Sequence, residues 1–81
     1  VTVAYTGYLL DGEQFDASSD DGATFSLNNV IEGWQQGIPK FKAGGKGKLI
    51  IPSELGYGKS GSGSIPGNSV LVFDIELITV F

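Results

Sequence analysis

The chain contains no cysteine, no histidine and no arginine. Without the first two there is no thiolate nucleophile and no imidazole to shuttle protons. Disulfides and Cys/His zinc clusters go with them. The lack of arginine leaves five lysines against nine acids, a net charge of −4. Nucleic acids require a basic surface, so none is expected as a partner. The acids scatter along the chain and read as solvation rather than as a site. Apolar runs are short of the ~20 residues that span a bilayer, and the start has no signal-type apolar segment, so no membrane partner is expected. The compartment stays open.

Aromatic residues are what the chain does have. Eight Tyr and Phe residues accompany a single tryptophan. It sits in Val30-Ile31-Glu32-Gly33-Trp34, behind two β-branched residues, an acid and a glycine. An aromatic set without proton-transfer groups suits recognition of something apolar, or catalysis that moves no proton.

A length of 81 residues makes one domain with a small core. Val1 to Thr6 is already strand-like, with no lead-in turn, and reads as part of a longer polypeptide. Residues 1–10 alternate, with Val3, Tyr5 and Leu9 on one face, and end at the hairpin signal Asp11-Gly12. A second strand is expected over Glu13–Asp16, resuming at Phe25–Leu27 after a polar loop. Asn28 or Asn29 is placed to cap a helix, with Glu32 completing a capping box after Asn29. Val30, Ile31, Trp34 and Ile38 form its apolar stripe, and Gly37 and Pro39 end it. Strands follow over Lys46–Pro52 and Val70–Phe81, separated by a Gly/Ser loop. In the last strand Leu71, Phe73, Ile75 and Leu77 point inward, Asp74 and Glu76 outward. Antiparallel strands and one covering helix define an α+β fold.

Two apparent motifs carry nothing. Gly56-Tyr57-Gly58-Lys59-Ser60-Gly61 fits the spacing of a dinucleotide loop, but Gly/Ser and Pro66 follow where a helix is required. The acid-rich segment from Asp16 lacks the glycine and glutamate of a calcium loop; Asp21 and Leu27 stand there instead.

Six blocks taken together are far more specific. They are Val3-x-Tyr5-Thr6-Gly7, Asp11-Gly12-x-x-Phe15-Asp16-x-Ser18, Phe25-x-Leu27, Val30-Ile31-x-Gly33-Trp34-x-x-Gly37, Leu55-Gly56-Tyr57-Gly58, and Ile65-Pro66 followed by Val70 to Leu77. In order and spacing they resemble the FKBP family of peptidyl-prolyl cis-trans isomerases, which bind the macrolides tacrolimus and rapamycin. The resemblance covers almost the whole chain. It implies an antiparallel β-sheet wrapped around one short α-helix, with an apolar pocket between them. Family domains begin with an edge strand that precedes Val1, so residues 1–81 are read as one isomerase domain without it. Lys46–Pro52 would then be an open edge, or a neighbouring segment would supply the strand.

The resemblance also implies roles. Trp34 would be the pocket floor, with Tyr5, Phe25 and Phe73 as walls and Phe15 lining it. Val30 and Ile31 would stand at the helix entrance, where the Ile31 N–H binds a substrate carbonyl. Tyr57 would donate a hydrogen bond from the loop, Ile65 would close that side, and Asp16 would be the polar group. Tyr5, Asp16 and Tyr57 would act in catalysis, with no cofactor and no metal. Partners would be proline-containing peptides, unfolded proteins and the macrolides. Read without the family, the apolar set is ordinary core, Tyr57 a surface tyrosine and Asp16 a turn acid.

Two positions depart from the family pattern. An arginine often pairs with the pocket aspartate from five residues on; here that residue is Asp21, so Asp16 must be held differently. The loop from Lys59 to Ser64 is only Gly, Ser and Lys, which suggests mobility. Three readings remain: an active isomerase assisting folding, an FKBP-like binding or chaperone module with weak or no turnover, and a structural domain whose aromatics are core only.

Overall fold

The computed structural model describes residues 1–63 and 65–80. Alternation builds the longest strands. β1 (Thr2–Leu9) and β5 (Leu71–Thr79) pair antiparallel along their whole length, from Thr2↔Thr79 to Leu9↔Leu71. β2 (Gln14–Ala17) and the two-residue β3 (Ala23–Thr24) both pair with the other side of β1. β4 (Lys46–Ile51) pairs with β5 from Lys46↔Glu76 to Ile51↔Leu71. The resulting five-stranded sheet runs β2-β1-β5-β4, with β3 beside β1. β5 is therefore interior, and β4 has no strand on its outer side among the described residues.

The period-2 pattern of β5 decides the core. Leu71, Phe73, Ile75 and Leu77 are buried, Asp74 is exposed, and Glu76 is half-buried on the opposite face. With Val3, Ile51, Trp34, Ile38 and Ile65 they form one hydrophobic cluster. Burying each such side chain contributes about 1.5–3 kcal/mol, so this strand anchors the domain.

One short helix, α1 (Glu32–Gly37), covers the inner face, followed by a 3₁₀ turn over Ile38–Lys40. Gly33 and Gly37 lie one turn apart and set its approach. A Cβ on Gly33 would sit 2.6 Å from Ile51 Cγ2, and one on Gly37 would sit 2.7 Å from Leu49 Cδ2. Both glycines thus press the helix onto β4, which places Trp34 (4% exposed) over the sheet. Among the described residues no helix is long and apolar enough to cross a membrane.

Three local expectations are corrected. Asn28 and Asn29 do not cap α1; they belong to a separate 3₁₀ turn, Leu27–Asn29, where Asn29 N–H donates to Ser26 O at 3.0 Å. Val30 (φ −103°, ψ 169°) and Ile31 (φ −60°, ψ 152°) are extended, so Ile31 is the N-cap and Glu32 falls in the first turn. The capping box is absent because two extended residues separate Asn29 from the helix. Phe25–Leu27 is not a strand either. Phe25 adds one more bond to β3's edge, N–H to Val1 O at 2.8 Å, and Leu27 opens the turn. Strand ends are also slightly shorter: Pro52, which has no N–H to donate, lies outside β4.

Candidate functional site

A cavity of about 250 Å³ opens between α1 and the sheet. Its centre is Trp34, which meets three rings nearly edge-on: Tyr5 at 5.0 Å and 84°, Phe25 at 5.6 Å and 87°, and Phe73 at 5.2 Å and 83°. Perpendicular packing of this kind satisfies the ring quadrupoles and holds each side chain in place. Each ring comes from a different element: β1, the end of β3, α1 and β5. The Trp34 Nε1 is buried and finds no hydrogen-bond partner among the described residues.

The polar side is built from β1, β2 and the loop after β4. The Tyr5 hydroxyl donates to Asp16 Oδ2 at 3.0 Å, and Ala17 N–H donates to Asp16 Oδ1 at 2.8 Å. Tyr5 is itself clamped by Ser18, whose Oγ accepts Tyr5 N–H and whose N–H donates to Tyr5 O, both at 2.9 Å. Tyr57 follows a 3₁₀ turn at Ser53–Leu55. The N–H groups on either side of it, Gly56 and Gly58, both donate to Ser53 O, at 3.0 and 2.8 Å.

Burial first, then the hydrogen bond and charge of Asp16, then Tyr57, push the Tyr5 hydroxyl up to about 12. Burial and the Asp16 charge also raise Tyr57. Both hydroxyls therefore keep their protons at neutral pH, and that of Tyr5 is donated to Asp16 beside apolar walls.

Val30 and Ile31 line the cavity mouth because their extended backbone interrupts the chain before α1. The Ile31 carbonyl is taken by Trp34 N–H at 3.0 Å and Gln35 N–H at 3.2 Å. Its own N–H has no partner among the described residues. Gln35 Nε2 bonds Val30 O at 2.9 Å and braces the entrance.

Of the residues singled out from the sequence, Tyr5, Asp16, Phe25, Val30, Ile31, Trp34, Tyr57 and Phe73 line this cavity together. Phe15 and Ile65 do not. Phe15 meets Phe73 edge-on at 5.5 Å and supports that wall, while Ile65 is 8% exposed within the core. Phe15 packs over Gly7, where a Cβ would lie 2.7 Å from its ring, and Ile65 is tied back by its reciprocal bonds with Ser62. Asn29 also lines the cavity, although its sequence spacing marks it only as a helix cap. Its one signal was its place immediately before Val30-Ile31.

The glycine-rich loop is internally bonded. Ser62 and Ile65 form a bridge, Asn68 N–H reaches Gly58 O at 2.8 Å, and a Cβ on Gly67 would collide with Lys59 O. Ser64 lies outside the described residues.

A ring-lined cavity floored by tryptophan, with two tyrosines and an aspartate, thus gathers eight of the ten residues singled out. The family model described as FKBP-type peptidyl-prolyl cis-trans isomerase matches residues 1–78, and the chain belongs to that family. It is similar to the FKBP-type peptidyl-prolyl cis-trans isomerase FkpA of Aeromonas hydrophila, 54% identical over 99% of this chain and 31% of that protein. An FK506-binding protein of Neisseria meningitidis serogroup C is 46% identical over 100% of this chain and 79% of its own length. The crystal structure of FkpA from Escherichia coli superposes with a TM-score of 0.93 at 51% identity, over 98% of this chain and 38% of that one. The chain thus spans only about a third of the FkpA proteins it matches.

Proposed function

We propose that the chain accelerates cis–trans rotation about X–Pro peptide bonds and so assists protein folding. That rotation has a barrier of ~18–20 kcal/mol because it breaks amide resonance. The twisted amide is less charge-separated than the planar one. Apolar walls that exclude water disfavour the planar form relative to the twisted form, which is differential binding of the transition state. No nucleophile or acid–base pair is needed, in keeping with tyrosines that stay protonated.

The observation that carries this reading is the unpartnered Ile31 N–H at the mouth of a tryptophan-floored cavity. A prolyl ring would rest on Trp34 between Tyr5, Phe25 and Phe73, with a substrate carbonyl on the Ile31 N–H. Tyr57 would donate to a second carbonyl, and Asp16, oriented by Tyr5, would face the amide. At about 250 Å³ the cavity suits one prolyl residue and its flanking amides, or the ring-bearing end of a macrolide such as tacrolimus or rapamycin. Phe15 and Ile65 would act by supporting the walls.

NMR exchange spectroscopy on a short Ala-Leu-Pro-Phe peptide tests this. Exchange should accelerate with the protein, fall about fivefold or more with Tyr57→Phe through loss of one donor, and return to background under excess rapamycin. One observation favours a binding or chaperone module with weak turnover: Asp16 is exposed and has no cation beside it among the described residues. Rapamycin binding with exchange at the background rate would select that second reading.

A further inference from the structure

The helix that carries Trp34 starts without a side-chain cap. Ile31 is its N-cap and has no side-chain oxygen to offer, and Asn28 and Asn29 belong to the preceding 3₁₀ turn. Gln35, one turn into the helix, holds the entry instead. Its main-chain N–H donates to Ile31 O at 3.2 Å, and its side-chain Nε2 donates to Val30 O at 2.9 Å. Gln35 is exposed and does not line the aromatic cavity, whereas Val30 and Ile31 both do.

The Val30 carbonyl and the Ile31 N–H are the two ends of one planar peptide group, so fixing the oxygen fixes the hydrogen. That plane turns about two torsions, Val30 ψ (169°) and Ile31 φ (−60°). The bond from Gln35 Nε2 restrains both. The next plane is held separately, because Ile31 O accepts from Trp34 N–H at 3.0 Å as well as from Gln35 N–H. A bond accepted at a carbonyl also polarises its own amide and strengthens the N–H at the other end as a donor. The Ile31 N–H that results is oriented, polarised and without a partner among the described residues.

We infer that Gln35 is a positioning residue of the isomerase site, whose carboxamide orients and polarises the Ile31 N–H for a substrate carbonyl. The inference rests on the role proposed above for that N–H. A glutamine that served only the start of α1 would stabilise the fold and leave the donor strength of Ile31 unchanged. Gln36 supplies the comparison, being exposed on the same helix and away from the cavity.

The test compares Gln35→Ala, Gln35→Glu and Gln35→Lys with Gln36→Ala. Glutamate keeps the length of the side chain but only accepts at neutral pH, whereas lysine restores a donor of similar reach. The first two variants should lose about threefold or more in kcat/KM for the Ala-Leu-Pro-Phe peptide and in rapamycin affinity, the scale of one weakened hydrogen bond. Gln35→Lys should recover most of that loss, and Gln36→Ala should match the unaltered chain. The urea midpoint should move little throughout, since both glutamines are exposed. In NMR spectra of the unaltered chain a scalar coupling should connect Gln35 Nε2 to the Val30 carbonyl carbon, and the Ile31 amide proton should move upfield in Gln35→Ala and Gln35→Glu. Peptide exchange at the background rate in every sample would refute the isomerase reading, and rapamycin affinity would then decide this inference alone. Absence of the coupling, no rapamycin binding by the unaltered chain, unchanged affinity in Gln35→Ala and Gln35→Glu, a loss that lysine fails to repair, or an equal loss in Gln36→Ala would each overturn it.

Discussion

The Tyr5 hydroxyl donates to Asp16 Oδ2 across 3.0 Å, while Ala17 N–H holds the other carboxylate oxygen at 2.8 Å. The pairing of β1 with β2, Gly7 opposite Asp16, brings the two side chains together. A tyrosine and a backbone amide therefore orient the Asp16 carboxylate. Asp21, five residues on, is not among the partners of Asp16.

Tyr5→Phe should cost about 1 kcal/mol of stability, since the bond is charge-assisted but partly solvated. It should also change the alkaline limb of the stability curve. Because the Tyr5 pKa is raised from 10.0 to about 12 in the fold, its contribution is complete below pH 10 and is lost as pH climbs toward 12. Urea unfolding of both proteins across that window should show a shallower decline for the variant. Parallel declines would mean that Tyr5 does not carry the raised pKa.

Isomerase activity should be flat from about pH 6 to pH 9, because neither cavity tyrosine loses its proton there and the chain has no histidine or cysteine. A bell-shaped profile inside that range would point to a proton-transfer step and contradict the mechanism.

Trp34 is the only tryptophan and is already 4% exposed without ligand. Its emission should be that of a buried indole, and adding rapamycin should alter its intensity far more than its wavelength. A large blue shift on binding would show Trp34 to be solvated in the free protein.

Gly33→Ala sets helix propensity against packing. The alanine gains about 1 kcal/mol intrinsically, yet its Cβ lands 2.6 Å from Ile51, an overpacking that costs about 1–3 kcal/mol. Net destabilisation is expected in chemical denaturation, and Ile51→Ala in the same chain should cost less than it does alone. Additive losses would mean that the helix stands further from β4.

Inward and outward positions on β5 follow directly from its sequence, because a strand alternates faces whatever surrounds it. The same holds for β4, where Leu49 and Ile51 turn in and Ile50 is left exposed. The aromatic set was legible too: the blocks around Tyr5, Phe25, Trp34 and Phe73 named walls that the structure assembles. Helix capping was not, since Asn29 had the right residue type and spacing for a cap. Only the extended path of Val30 and Ile31, whose side chains pack at the cavity mouth, moved the helix start to Glu32.

Composition and periodicity thus determined which residues are apolar, where the long strands run and that no cysteine or histidine takes part. Tertiary structure decided the rest: that Asn29 lines the cavity while Phe15 and Ile65 stand behind it, and that Tyr5 holds Asp16. Local patterns record each residue's preference for burial. Partners distant in sequence, such as Tyr5 and Asp16 or Gly33 and Ile51, are chosen only when the sheet and helix close on each other.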